Sequence, residues 1–275
     1  MKPARNNKIH LFFLSIVILV SITGFWNIYF GPKANPTAYH HLHVIITFAW
    51  LTLLMIQLIY ILKQNHSIHR KLGISIFIMG PLLIATLILL SVHSASKATA
   101  KGEADALVVQ NIFPALEVAI LILLGFRFRK NRKLHGHFLL STTLLFLGIA
   151  LFFSLISFVP QYKIEGPETF YRFKDAAITA LIICVTFGLL LFFLQLRSGW
   201  PWLLVSILFF VNSFFTSIIA KANQTKTLTV VIGSINEYVA FLGTFLILLI
   251  LLLLAYRDKT FFAKYFRIPV NKSKY

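Results

Sequence analysis

The sequence is short of charge, of acids and of cysteine. Charged residues fill 12% of its 275 positions, about half the roughly 25% of a soluble domain. That scarcity excludes a disordered chain, a coiled coil and almost any water-soluble fold. A single cysteine, Cys184, excludes a disulfide framework. There is no phosphate-cradling glycine loop, no G-x-S-x-G, no G-x-G-x-x-G and no C-x-x-C, so the familiar nucleotide, esterase and dithiol chemistries lack their residues here. What fills the chain instead is apolar: 58% of residues are hydrophobic and the mean hydropathy is +0.83.

A helix crosses a bilayer with about 20 apolar residues, because lipid offers no partner to an open backbone group. Eight such runs stand in the sequence, near 10–30, 40–62, 72–93, 107–126, 137–159, 176–196, 200–220 and 231–255. The expected fold is an all-α bundle of eight transmembrane helices in one integral membrane domain, 1–275. The first run exceeds the usual 7–15 apolar residues of a signal peptide and no A-x-A site follows it, so it reads as a retained helix. Pro81 and Pro114 fall inside helices three and four, where kinks are expected.

The few charges orient the bundle. With the N-terminus in the cytoplasm, 18 of the 26 Lys and Arg residues fall on cytoplasmic segments. These include Lys2, Arg5 and Lys8, the run Arg127 to Lys133, and a basic tail from Arg257 to Lys274. Most acids, among them Glu103, Asp105, Glu165, Glu168 and Asp175, fall on the other side. This bias predicts both termini in the cytoplasm and a multi-pass protein of the inner membrane. The net charge of +18 then reflects topology and contact with anionic headgroups. No folded domain is left over to bind nucleic acid.

Within the spans, polar residues are the informative ones. One set gathers near the outer face. His40, His41 and His43 open helix two, and from His43 the spacing puts Thr47, Trp50 and Gln57 on one helix face. His93 closes helix three on the same side. Helix four carries Gln110, Asn111 and, near mid-depth, Glu117. Helix seven carries Asn212. Helix eight carries Asn236 and Glu237, with Ser234, Glu237, Phe241 and Thr244 on one face. Glu117 and Glu237 are the only acids inside spans, and a buried carboxylate needs a partner. The expectation is that His43, His93, Glu117 and Glu237 converge, with His41 as a further metal ligand; the alternative is that the histidines cap helices and each Glu bonds a neighbouring helix. A second set, His66, His69, Arg70 and Lys71 with Lys133, His135 and His137, lies at the inner face, where a headgroup belt competes with a ligand role for the histidines.

The stretch from His41 to Gly73 reads H-L-H, then Trp50, Gln57 and H-R-K-L-G. It resembles a group of uncharacterised bacterial polytopic membrane proteins that carry H-x-H, W, Q and H-R-x-L-G across two helices. The group usually has a second basic-His element two helices later. Here His135-Gly136-His137 stands in that place, with Gly and His where the group has Lys and Arg. The resemblance covers about 100 residues and implies roles for His41, His43, Trp50, Gln57, His69 and Gly73. It implies no activity.

These residues support four functional expectations. The first is a redox protein binding haem b or a transition metal, with His43 and His93 as an outer pair and His69 with His135 or His137 as an inner one. Its similarity to transmembrane b-type cytochromes is loose, because His69 and His93 are expected on one helix about 36 Å apart at 1.5 Å per residue. The second is a proton-coupled small-molecule transporter using Glu117, Glu237, His43 and Asn212. The third, an intramembrane zinc hydrolase, lacks H-E-x-x-H or H-x-x-x-H on a helix. The fourth is a scaffold that contacts another membrane protein laterally.

Overall fold

The computed structural model describes residues 3–257. Lys2, Asp258 and the tail residues Lys259, Lys264, Arg267, Lys272 and Lys274 lie outside the described residues. Those described form ten α-helices: α1 Pro3–Gly24, α2 Ala38–Leu62, α3 His66–Gly73, α4 Ile76–Ala100, α5 Ala106–Arg127, α6 Arg132–Phe158, α7 Arg172–Phe193, α8 Trp200–Lys221, α9 Thr225–Gly233 and α10 Glu237–Arg257. No strand occurs among them. Eight helices, all but α3 and α9, are long and apolar enough to cross a membrane. The chain is a multi-pass helical membrane protein.

The helix limits follow local chemistry. The orphan N–H groups of a helix start are met by Asx or hydroxyl side chains. Asn65 accepts from the backbone of Ile68, Asp105 from Leu107, and Asn131 from Leu134. Thr37 and His40 form a reciprocal cap at the start of α2. Gln64 and Asn223, just past α2 and α8, adopt left-handed backbone with φ of 57° and 56°, which stops a helix at its last turn. Both α4 and α5 run on through Pro81 and Pro114.

Two spans depart from the sequence expectation. The run expected at 72–93 starts later and runs further: α3 ends at Gly73, and α4 begins at Ile76 and continues to Ala100. His93 therefore stands within α4 rather than closing it, and His69 and His93 belong to different helices. The run expected at 231–255 is interrupted. α9 ends at Gly233, and α10 begins at Glu237. The side chain of Asn236 accepts from the backbone of Tyr238 and Val239, at 3.0 and 3.2 Å, and caps the new helix. Ser234 thus lies before α10 and shares no helix face with Glu237, Phe241 and Thr244. The first run also ends early: α1 stops at Gly24, and a π-helical turn covers Trp26–Phe30.

α10 packs along α4, α9 on the far end of α4, and α1 along α6. Gly233 makes the α9 approach possible, since a Cβ there would lie 2.8 Å from the Ala95 carbonyl. Trp50, Leu83, Leu121, Phe138, Leu144 and Trp202 are wholly buried between helices. Large apolar side chains on α7, α8 and α10, such as Ile182, Phe214 and Leu246, face outward, as a lipid-facing surface requires. The bundle has two ends. α2 starts, α4 finishes and α10 starts at the His93 end. At the His69 end α3, α4 and α6 begin, and Arg129 reaches Ala255 and Tyr256 near the finish of α10.

Candidate functional site

At the His93 end, the break between α9 and α10 puts Glu237 on the first turn of α10. There its carboxylate adds to the favourable field of a helix N-terminus. Two side chains grip it. Tyr39 O–H donates to Oε2 at 2.5 Å, and His93 Nδ1 donates to Oε1 at 2.9 Å. The Tyr39 ring also stacks on the His93 ring, centroid to centroid 4.0 Å. Three helices, α2, α4 and α10, thus meet at one carboxylate. The pair is part-buried, with His93 and Glu237 side chains 25% and 28% exposed. His40 lies near enough to interact electrostatically with His93 and Lys97. Beside them a cleft of about 250 Å³ is lined by Ser94, Lys97, Lys101, Glu103 and Asp105. Ser94 donates to Asp105 at 2.6 Å, and the Asp105 backbone N–H donates to Thr229 on α9 at 3.1 Å. The cleft is therefore tied to the same broken helix as Glu237.

The four residues expected to converge do not share one site. Only His93 and Glu237 meet. His43 lies one turn deeper, its Nδ1 3.3 Å from Thr86 on α4 and its Nε2 3.4 Å from Thr47 on its own helix. Further down α2, Trp50 donates to Thr142 on α6 at 3.2 Å. His41 is exposed and pairs with Tyr29 at 3.0 Å. Glu117 is buried on α5, and Asn212 on α8 is the side chain that interacts with it. Among the described residues no three His, Cys, Asp or Glu side chains form a group that would hold a metal. His41, His43, His93 and Glu117 are accordingly not one ligand set. Nor do His43 and His93 face each other as axial haem ligands, since His93 is stacked under Tyr39 and bonded to Glu237.

At the His69 end the basic-His stretches fold inward. His69 neighbours His135 and interacts with the Gln57 backbone carbonyl. His135 Nδ1 donates to the Gly125 carbonyl at 2.7 Å. Burial, and next the closeness of His135, hold the His69 pKa below its ordinary value. Gln57 is buried, yet neither atom of its amide has a hydrogen-bond partner, and nor does His69 Nδ1. Three residues singled out by the resemblance, Gln57, His69 and Gly73, thus lie together. His137 goes elsewhere. Its Nδ1 donates to the Ser198 carbonyl at 2.6 Å, and its ring meets His10 edge-on at 5.3 Å. His10 is 2.7 Å from Gln195 and stacks on Trp202.

His10, Gln195 and Trp202 carry no sequence signal of these roles, and Tyr39 carries a slight one. Tyr39 and Trp202 read as ordinary interfacial aromatics, and His10 sits at the edge of an apolar run. One cue was available: Tyr39 lies one turn before His43, next to the His40 cap. No family model matches the chain, and no curated protein or solved structure matches it.

Proposed function

We propose that this chain is a proton-coupled carrier of a small solute in the inner membrane, with both termini in the cytoplasm and Glu237 as a proton-binding gate. The observation that carries this reading is the Tyr39–Glu237–His93 cluster at the break between α9 and α10. Carriers bind protons and ions where a span is interrupted, because unwound backbone there joins two rigid pieces that can move apart. Ionised Glu237 is held by a tyrosine O–H, by an imidazole and by the N-terminus of α10. A proton on the carboxylate cancels its attraction to His93 and to the helix end, and weakens the Tyr39 bond. The tie between α2, α4 and α10 then loosens, and the α9–α10 hinge is free to swing. The cleft at Ser94 and Asp105 lies at the same end of α4 and is tied to α9 through Thr229. Glu117 with Asn212 forms a separate pair and no continuous relay with Glu237. The inner-membrane orientation is supported by the distribution of basic residues between the two sides.

The test is charge movement. Purified full-length protein in liposomes on a solid-supported membrane is given a step in pH. Wild type is expected to show a transient charge displacement. Glu237→Gln is expected to lose about tenfold or more of it, the scale on which positioned acid–base groups act, and Tyr39→Phe to lose a smaller part. An unchanged signal in Glu237→Gln overturns the reading. So does a haem spectrum or stoichiometric metal in the purified protein, which would favour the redox expectation.

A further inference from the structure

We propose that Gln57 and His69, beside Gly73, form a binding site for a small carboxylate that enters with one proton. This builds on the carrier reading and names its solute class.

The argument starts from three unpaired atoms. Gln57 is 6% exposed, and both Nε2 and Oε1 of its amide lack partners, as does Nδ1 of His69. Buried polar groups in native proteins are nearly always satisfied, and each one left open is destabilising. An amide serving only the fold would be better replaced by Leu. The three atoms are also neighbours: the His69 ring interacts with the Gln57 backbone, and Gly73 stands next to the Gln57 side chain. A Cβ built on Gly73 would meet Nε2 of Gln57 at 3.9 Å and nothing else within 4 Å. The absence of a side chain at Gly73 therefore leaves room beside the amide.

Charge selects the occupant. Facing His69 from its own helix are His66 and Arg70, and from α6 His135, which in turn feels Arg129. Lys71 on the helix of His69 and Lys133 on the helix of His135 are exposed. No Asp or Glu is among the groups that act on His69. The field is positive and repels a cation. An anion is drawn in, and its charge favours protonation of the imidazole, which burial otherwise keeps neutral.

A carboxylate uses all of this. One oxygen accepts from Gln57 Nε2–H. The other accepts from Nδ1–H of His69, whose ring takes that proton from water as the anion arrives. No covalent bond forms or breaks in the ligand, and one proton is taken up for each anion. Gln57 Oε1 is left to accept from a donor on the ligand, so a 2-hydroxy acid fits better than the same acid without the hydroxyl.

Isothermal titration with lactate and propionate tests the site, using the full-length protein in nanodiscs of zwitterionic lipid. Two buffers of different ionisation enthalpy count the protons. Lactate is expected to bind with uptake of one proton. Its affinity should fall about tenfold per pH unit above the free His69 pKa, the linkage expected for one coupled proton. Propionate should bind several-fold more weakly, as a ligand missing one bond to a buried polar group does. Gln57→Leu and Gly73→Leu should lose binding while keeping the wild-type circular dichroism and melting behaviour. His69→Gln should lose the proton uptake. The proposal is overturned if neither acid binds, if binding survives in Gln57→Leu, if no proton is taken up, or if inorganic phosphate binds in place of both acids. These readouts are independent of the Glu237 charge movement, so either idea can fail without the other.

Discussion

The two ends of the bundle treat their polar side chains differently. At the His93 end the donors and acceptors find each other: Tyr39 and His93 on Glu237, Thr37 on His40, Ser94 on Asp105. At the His69 end several stay open. Gln57, His69, His10 and Trp202 each keep a buried atom with no hydrogen-bond partner. A closed polar cluster holds helices in place until its charge changes. An open one leaves donors and acceptors for a group from outside the chain to meet. The contrast is the physical ground on which the proposed gate is told apart from the proposed binding site, although both contain histidines.

The strongest way to break the comparison is to open the closed end. Glu237→Gln is expected to cut pH-driven charge movement by about tenfold or more. It should shift the melting temperature little, since a part-exposed ion pair contributes about 1 kcal/mol or less. A large loss of stability with full activity would make the cluster a structural clamp instead. Next in size is the close approach that places Glu237. Gly233→Val drives a side chain into the Ala95 carbonyl, and overpacking of this kind costs about 1–3 kcal/mol. Denaturant titration should show the loss, and Gly73→Ala, with only an ordinary contact to meet, should show almost none. The third test closes the open end. Gln57→Leu removes the two unpaired atoms of a buried amide with a side chain of similar volume and is expected to be neutral or stabilising by up to about 1 kcal/mol. The equivalent deletion at the other end, Tyr39→Phe, should destabilise.

The smallest effect is one of pH. The folded-state pKa of His69 is depressed, so between that value and the unfolded value of about 6.5 the unfolded chain binds more protons, and stability rises with pH there. The contribution of His69 is complete above the unfolded pKa and is lost as pH falls through the folded one. Melting curves collected across mildly acidic pH should show this slope. His69→Gln should flatten it.

Hydropathy alone carries the architecture. Each of the eight expected runs contains a helix able to span, because an apolar stretch of that length has few other stable forms in lipid. The helix breaks were not legible. Gly233, Ser234 and Asn236 sit in an apolar window that tolerates them, and only the three-dimensional approach to Ala95 shows why a glycine is there. The break after Gly73 was equally hidden, but no close approach demands a glycine there. The pairing of Glu237 with His93 and Tyr39 spans 144 and 198 residues of sequence. Helical periodicity reports which face a residue occupies and not which helix it meets. His43, placed by its spacing, and Glu117, placed by its depth in a span, were expected to converge, and they lie in different neighbourhoods. The resemblance grouped Gln57, His69 and Gly73 by pattern, and in the fold the three lie together.

The way α10 is fastened bears on how the protein comes to exist. Its neighbours, α4 and α5, its electrostatic partner His93 and its latch, Arg129 over Tyr256 at 4.1 Å, all come from the first half of the chain. During synthesis those helices are inserted long before residues 237–257 leave the ribosome. Until then His93 has its stack on Tyr39 of α2 but not its hydrogen bond to Glu237. Among the described residues α10 is thus the last helix to join, and a chain halted before Asn236 leaves the Tyr39–His93 stack without its carboxylate.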